Sequence, residues 1–173
     1  HRGIHVISKK GTPGSIKLLL YLIFLGLLFL WIFEVTKLAF GFSLTFLPEI
    51  ITRPLIYADF LKFAGALIVA VSVVLLPLAL LNFNNSLRFG FDEENRPKLM
   101  TRGVLSVTRN PFFLSIDLYF LGTALIHPGW FFILYALLAV VNIHFFILKE
   151  ERFLLHAYGE EYLQYARKVR RYF

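Results

Sequence analysis

The chain has no cysteine, a single methionine among 173 residues, and little charge. Without cysteine there is no disulfide framework, no thiolate nucleophile and no cysteine-based zinc site. Charged residues make up 17% of the chain, against roughly 25% in an average soluble domain. Hydrophobic residues make up 58%, and the mean hydropathy is +0.69. This composition predicts a protein of the lipid bilayer and excludes a disordered chain, and the length allows one domain and excludes a large multidomain enzyme.

The chain also lacks the short motifs that mark several common enzyme classes. It contains no phosphate-binding glycine loop, no G-x-G-x-x-G, no H-E-x-x-H and no G-x-S-x-G. Nucleotide hydrolysis, Rossmann-type cofactor binding, zinc peptidase and serine hydrolase chemistry therefore have no support in the sequence.

Charge-poor runs indicate the membrane helices, because a helix needs about 20 apolar residues to cross a hydrocarbon core. Four such runs occur, at 18–33, 63–87, 111–126 and 130–148. Pro128 and Gly129 separate the last two runs, and Asp117 is the one charged residue within them. We predict an all-α membrane bundle of about four spans, in which the last two form a helical hairpin.

Beyond the fourth run, the stretch 149–172 predicts an amphipathic helix, which Gly159 divides into two pieces. Its apolar positions recur at helical spacing: Leu154, Tyr158, Tyr162, Tyr165 and Val169. The connection at 34–59 mixes apolar residues with Pro48 and Pro54, and we expect it to be interfacial or re-entrant.

The net charge is +7, with 18 Lys and Arg against 11 Asp and Glu. Such a balance can indicate nucleic-acid binding, but in an apolar chain it more often marks a cytoplasmic membrane face. Fifteen of the 18 Lys and Arg precede the first run, lie between the second and third, or follow the fourth. The positive-inside rule therefore predicts that both termini and the 82–111 loop are cytoplasmic, and we expect the active site there.

The 82–111 loop ends at Arg109, Asn110 and Pro111, which predict the start of a helix. Free N–H groups in the first turn of a helix can bind an anion, and the arginine strengthens such a site. The structural alternative is a membrane-flanking arginine beside a helix-starting proline, and the tripeptide alone favours this alternative.

Glu150 and Glu151 follow the fourth run, at the end of a helix where the macrodipole disfavours carboxylates. They are candidates for binding a cationic ligand. The alternative is that they pair with Lys149, Arg152 or a loop arginine.

Asp117 lies inside an apolar run, where an ionised side chain costs at least about 2.5–3.5 kcal/mol unless it is paired or hydrated. It is either a functional residue or a polar contact between helices. His144, in the fourth run, has no second ligand four residues away on either side. A helix-packing histidine is therefore favoured over a metal ligand, and no metal is expected.

Three blocks of the C-terminal half resemble the isoprenylcysteine carboxyl methyltransferase and phospholipid methyltransferase superfamily. They are Asn82-Phe83-Asn84, Leu99-Met100-Thr101-Arg102-Gly103-Val104 with Arg109-Asn110-Pro111-Phe112-Phe113, and Glu150-Glu151 with Leu154, Tyr158-Gly159-Glu160-Glu161-Tyr162 and Tyr165. The resemblance covers roughly residues 82–170. It implies an integral-membrane enzyme that uses S-adenosylmethionine, in one membrane domain with N-terminal spans at 1–81 and a methyltransferase-like core at 82–173.

The resemblance also implies that the cofactor binds between the loop and the cytoplasmic ends of the last two runs. The residues it assigns to cofactor binding are Arg88, Lys98, Leu99, Met100, Leu105, Asn110, Pro111, Phe112, Phe113 and Glu150. The candidates for catalysis are Arg109, Asn110, Asp117 and Glu151.

The chain departs from the family pattern at four positions. Asn110 stands where the family has histidine, and Leu105 and Phe113 stand where it has tyrosine. Phe146 occupies the place of an arginine that is thought to hold the substrate carboxylate in the isoprenylcysteine enzymes, which argues against a prenylcysteine substrate.

We therefore expect a methyltransferase that moves a methyl group from S-adenosylmethionine to a lipophilic acceptor from the bilayer. A carboxylate or thiolate acceptor needs no base, whereas an ammonium acceptor must first lose a proton, and the candidates for taking it are Asp117, His144 and Glu151. One alternative is a sterol-reductase-like enzyme that binds NADPH, although Glu150 and Glu151 argue against bound phosphates. The other is a non-catalytic lipid-binding protein.

Overall fold

The computed structural model describes residues 14–84 and 99–173, and within these ranges the chain is helical without strands. The helices are α1 (Gly14–Phe40), α2 (Glu49–Thr52), α3 (Asp59–Asn84), α4 (Pro111–Ile126), α5 (Trp130–Tyr158) and α6 (Glu160–Lys168), with a 3₁₀ helix at Gly103–Ser106. The predicted all-α fold is confirmed. The chain divides into two units, residues 1–46 with α1 and residues 47–173 with the other helices.

Apolar sequences produce three helices of membrane-spanning length in the described part of the chain. They cover Tyr21–Phe40, Asp59–Leu81 and Trp130–Tyr158. Most of their side chains are exposed although they are apolar, which is the arrangement expected in lipid rather than in water. The fourth apolar helix, α4, has only 16 residues. The prediction of an integral membrane protein is therefore confirmed, and the number of four spans stays a prediction.

Within the first unit, α1 ends beside a cluster of phenylalanine rings. The ring centroid of Phe33 lies 4.4 Å from that of Phe46 and 5.4 Å from that of Phe42. Lys37 pairs with Glu34, one turn earlier, at 3.4 Å. These contacts hold the residues that follow α1 against its last turns.

Two glycines bring α3 and α4 into close contact. A Cβ atom on Gly65 would lie 2.6 Å from the carbonyl oxygen of Gly122, and one on Gly122 would lie 2.9 Å from the carbonyl oxygen of Gly65. The Ser72 hydroxyl donates a 2.8 Å hydrogen bond to the Ser115 carbonyl oxygen at the same interface. Close packing of small residues and hydrogen bonds of this kind associate helices in lipid. The short helix α4 is thus anchored along α3.

The predicted hairpin between α4 and α5 is confirmed, with Pro128 and Gly129 in its turn. The His127 Nε2 atom lies 2.7 Å from the Thr52 carbonyl oxygen, and the Leu55 N–H donates to the Pro128 carbonyl oxygen at 3.0 Å. The connection that contains α2 is therefore attached to the hairpin turn. Its interfacial position in the membrane stays a prediction.

Helix α5 continues for ten residues beyond Leu148, the predicted end of the fourth run, and ends at Tyr158. Seven of the ten residues in this extension are Lys, Glu, Arg, Leu or Ala, which favour helix, so the end of the charge-free run does not end the helix. Gly159 then adopts a φ of +54°, a conformation that favours glycine. The predicted division at Gly159 is confirmed, and α6 buries Tyr162 and Tyr165 on one face.

We predict that Gly65→Ala destabilises the fold by about 1–3 kcal/mol, because the added methyl group overlaps the backbone of α4. The matched control is Gly26→Ala in α1, where a Cβ atom meets no described atom within 4 Å. The unfolding temperature of the purified protein in detergent should fall for the first variant only. Equal unfolding temperatures for the two variants would contradict the close helix contact.

Candidate active site

Four side chains meet where α4 begins and α5 approaches its end. The Glu151 Oε1 atom accepts hydrogen bonds from Arg109 Nη2 at 2.9 Å and from Asn110 Nδ2 at 3.3 Å. Its Oε2 atom accepts two bonds from Arg171, from Nη2 at 2.7 Å and from Nε at 3.1 Å. Asn110 Nδ2 also donates to the Arg171 carbonyl oxygen at 3.2 Å. We call Arg109, Asn110, Glu151 and Arg171 the ion-pair cluster.

Backbone contacts bring Arg171 back to this cluster from the end of α6. The chain leaves α6 in an extended conformation. The Arg109 N–H donates to the Arg170 carbonyl oxygen at 3.0 Å, and the Thr108 hydroxyl donates to the Arg171 carbonyl oxygen at 3.1 Å. Residues 169–173, which we call the C-terminal segment, therefore lie against the residues that start α4.

The ion-pair cluster is largely sheltered from solvent, which strengthens the interactions between its charges. The side chains of Arg109 and Glu151 are each 11% exposed, and that of Arg171 is 34% exposed. The hydrogen bonds to Glu151 raise the pKa of the Arg171 guanidinium, so this side chain stays charged. Glu151 thus joins the start of α4, the end of α5 and the C-terminal segment through one carboxylate.

Two buried tyrosines of α6 adjoin the cluster. The Tyr165 hydroxyl donates a 2.7 Å hydrogen bond to the Leu105 carbonyl oxygen, and burial, together with the neighbouring Tyr162, raises the pKa of Tyr165 to about 12. Burial, followed by the negative charge of Glu151, raises the pKa of Tyr162. Both phenols keep their protons at neutral pH, and because Tyr165 already donates its proton to Leu105, the Tyr162 hydroxyl is the one with an unused donor among the described residues.

Some polar groups around the cluster have unused hydrogen-bonding capacity. The Arg109 Nε–H and the Tyr162 hydroxyl are buried and have no partner among the described residues. Glu150 is half-buried, lies close enough to Tyr162 to influence it electrostatically, and forms no ion pair with a described residue. Because buried polar groups are normally satisfied, these groups mark a place where a polar ligand can bind.

A largely apolar cavity of about 500 Å³ lies between α4, α5 and the C-terminal segment. It is lined by Leu114, Asp117, Leu118, Leu121, Val140, Val141, His144, Phe145, Tyr172 and Phe173. Asp117 is 5% exposed, and its Oδ1 atom has no partner in the part of the chain that the structure describes. His144 Nδ1 lies 2.6 Å from the Tyr172 hydroxyl oxygen. The cavity therefore combines an apolar wall with a small number of polar groups.

The structure brings together three of the four residues predicted for catalysis. Arg109, Asn110 and Glu151 belong to the ion-pair cluster, whereas Asp117 lies two turns farther along α4, in the cavity wall. Glu151 forms an ion pair with Arg109, which confirms the alternative in which this glutamate pairs with a loop arginine. A catalytic role for these residues stays a prediction.

The residues predicted for cofactor binding lie around the start of α4. Pro111 is fully buried at the first position of the helix, and the rings of Phe112 and Phe113 contact each other at 5.5 Å. The backbone of Leu105 binds Tyr165, as described above. Leu99 and Met100, which are also predicted for cofactor binding, are half-buried and precede the 3₁₀ helix. Two others lie outside the described residues: Arg88 and Lys98.

Sequence reasoning missed Arg171, Thr108 and Tyr172. In the sequence, Arg171 is one of several basic residues after the fourth run, and no spacing rule singles it out. Its contact with Glu151 depends on the extended backbone that follows α6, which periodicity does not specify. The pair of Tyr172 with His144 depends on the same backbone path.

We predict that the two adjacent glutamates differ in their effect on stability. Glu151→Gln removes the charge that Arg109 and Arg171 share, and should destabilise the protein by about 1.5–3 kcal/mol. Glu150→Gln should leave the unfolding temperature in detergent unchanged, because no described residue pairs with Glu150. A similar loss of stability in both variants would show that the cluster is not centred on Glu151.

Comparison with known proteins agrees with the sequence blocks and with the helical membrane fold. The family model described as phospholipid methyltransferase matches residues 60–161, which is more than half of the chain. No curated protein and no solved structure matches. The matched range includes α3 except its first residue, α4, α5, Arg109, Asn110 and both adjacent glutamates. The chain therefore belongs to the phospholipid methyltransferase family, and it is a membrane methyltransferase that acts on lipids.

Proposed function

We propose that the protein transfers a methyl group from S-adenosylmethionine to a lipophilic acceptor that enters from the bilayer. The observation that carries this proposal is the juxtaposition of two different environments at the C-terminal segment. Arg171 belongs to the ion-pair cluster, and the next two residues, Tyr172 and Phe173, line the apolar cavity. A polar donor site beside an apolar acceptor site is what this reaction requires.

The residues around the cluster fit S-adenosylmethionine by their chemistry. The half-buried Glu150 carboxylate is suited to an ammonium group, and the unpartnered Arg109 Nε–H and Tyr162 hydroxyl are suited to a carboxylate. The rings of Phe112 and Phe113 are suited to a sulfonium, because aromatic faces attract cations. When bound, this donor supplies a methyl group that its sulfonium already activates. Contacts of the cofactor with the remaining predicted residues stay predictions.

The ion-pair cluster serves this reaction by fixing geometry. Methyl transfer depends on alignment of the acceptor, methyl group and sulfur, so small displacements of the helix ends reduce the rate. Glu151 limits such displacements, because it links α4, α5 and the C-terminal segment. Both Glu151 oxygens already accept hydrogen bonds from arginine, so Asp117 and His144 in the cavity wall are better placed to take a proton from an acceptor.

The alternatives need different chemistry at the same place. A sterol-reductase-like enzyme must bind the phosphates of NADPH, and the Glu150 carboxylate, which has no ion-pair partner among the described residues, disfavours such anions. A non-catalytic lipid-binding protein would use the cavity and leave the unpartnered groups beside the cluster without a ligand. A prenylcysteine acceptor is not favoured, because Phe146, which is 61% exposed, stands at the position where the resemblance places an arginine that binds the substrate carboxylate.

Calorimetric titration of the detergent-purified chain with S-adenosylhomocysteine tests the donor. We expect binding to the unmodified chain, and at least about tenfold weaker binding to Glu150→Gln, because an ammonium partner worth about 1.4 kcal/mol is lost. Glu160→Gln changes an exposed glutamate at the start of α6 and should bind as the unmodified chain does. Binding of NADPH instead would support the reductase, and binding of neither compound would support the non-catalytic protein.

We further propose that the ion-pair cluster faces the cytoplasm, as the distribution of Lys and Arg predicts. The natural absence of cysteine allows a direct test with single-cysteine variants. Ser106→Cys lies near the cluster, and Tyr57→Cys lies near the hairpin turn at the other end of α4; both positions are exposed. In intact cells, a membrane-impermeant maleimide should label only Tyr57→Cys, and lysis should expose Ser106→Cys. The opposite labelling pattern would reverse the orientation.

A further inference from the structure

Asp117 is a carboxylic acid in an environment that offers it no partner. It lies two turns inside an apolar helix, is 5% exposed, and has an Oδ1 atom without a hydrogen bond among the described residues. A buried carboxyl group in this state costs stability whether it is ionised or protonated. Since the Asp117 side chain lines the cavity, its carboxyl group offers a hydrogen-bond acceptor to a molecule that binds there.

The second polar element of the cavity is the pair formed by Tyr172 and His144. His144 Nδ1 and the Tyr172 hydroxyl oxygen are 2.6 Å apart, and the two rings are stacked with centroids 6.1 Å apart. Burial, followed by the negative charge of Asp117, raises the pKa of Tyr172, which therefore keeps its proton. Asp117 on α4, His144 on α5 and Tyr172 in the C-terminal segment thus all line the same cavity.

The shape and polarity of the cavity define the molecule that fits it. Apart from Asp117, His144 and Tyr172, its lining side chains are aliphatic or phenylalanine. A volume of about 500 Å³ lies within the range of small-ligand sites, so it can hold a headgroup with a short length of chain. The molecule that complements this cavity is therefore apolar along most of its length and ends in a hydrogen-bond donor.

We propose that Asp117 binds the head of the methyl acceptor through a donor group, either hydroxyl or amino, and that the Tyr172–His144 pair positions this head. This inference rests on the proposed function, because it assigns the cavity to the acceptor. Tyr172 lies outside residues 60–161, so the match to the family does not specify its role. The C-terminal segment therefore contributes both to the cluster and to acceptor selection.

Three soluble probes of matched length test the site in the full-length chain in detergent. Hexylamine and 1-hexanol each end in a donor, and 1-methoxypentane has none. Calorimetric titration should show at least tenfold tighter binding of one or both donor probes than of the ether. Tight binding of hexylamine alone identifies a charged head, and tight binding of both probes identifies a hydrogen bond without a charge requirement. Equal binding of all three probes would overturn the proposal.

Substitutions then assign the selectivity to named residues. The Asp117→Leu variant should bind the three probes with equal affinity. The Asp117→Asn variant keeps the shape of the carboxyl group but not its charge, and should lose any preference for hexylamine over 1-hexanol. Tyr172→Phe should weaken binding of the donor probes by about three- to tenfold, whereas Tyr57→Phe, an exposed control, should not. Retained selectivity in Asp117→Leu, or an effect of Tyr57→Phe equal to that of Tyr172→Phe, would refute the assignment.

Binding of S-adenosylhomocysteine separates this inference from the proposed function. Its dissociation constant should stay within about twofold of the unmodified value in Asp117→Leu and Tyr172→Phe, which also shows that these variants are folded. A parallel loss of S-adenosylhomocysteine binding would indicate a structural role and contradict the inference. Failure of the unmodified chain to bind S-adenosylhomocysteine would refute the donor proposal, while the probe selectivity would still test the cavity.

Discussion

One carboxylate, that of Glu151, holds together parts of the chain that lie far apart in sequence. It accepts hydrogen bonds from Arg109 and Asn110 at the start of α4 and from Arg171 after α6. In lipid, the apolar faces of helices have little preference for one another, so polar contacts of this kind determine how the helix ends are arranged. The positions of the cavity wall and of the unpartnered groups both follow from this arrangement.

The helices could be predicted from the sequence because their signals are local. Long apolar runs, the Pro128-Gly129 turn and the glycine at position 159 each act within a few residues, and the structure contains the corresponding helices, hairpin and division. The helix predicted for the fourth run was expected to end at Leu148, but α5 continues to Tyr158. The prediction was too short because the charge-free run ends before the helix does. Charged residues with high helix propensity continue α5 after the charge-free run ends.

The candidate site could be predicted only in part. Arg109, Asn110 and the two glutamates could be selected from a helix start, a helix end and a family resemblance, and the structure brings them close together. Local patterns did not distinguish Glu150 from Glu151, although only Glu151 has arginine partners in the described structure. They also did not indicate Arg171, because its position depends on a backbone path that reverses after α6.

The spacing along α4 and α5 has a consequence for how the chain can change during evolution. On α4, Asn110 of the ion-pair cluster and Asp117 of the cavity are seven residues apart. On α5, His144 of the cavity and Glu151 of the cluster have the same spacing. Seven residues of helix place the two members of each pair about 10 Å apart along the axis. Inserting one residue into either seven-residue interval would rotate one member by about 100° relative to the other. These two intervals should therefore keep their length among relatives, while the outer ends of the apolar runs can vary with membrane thickness.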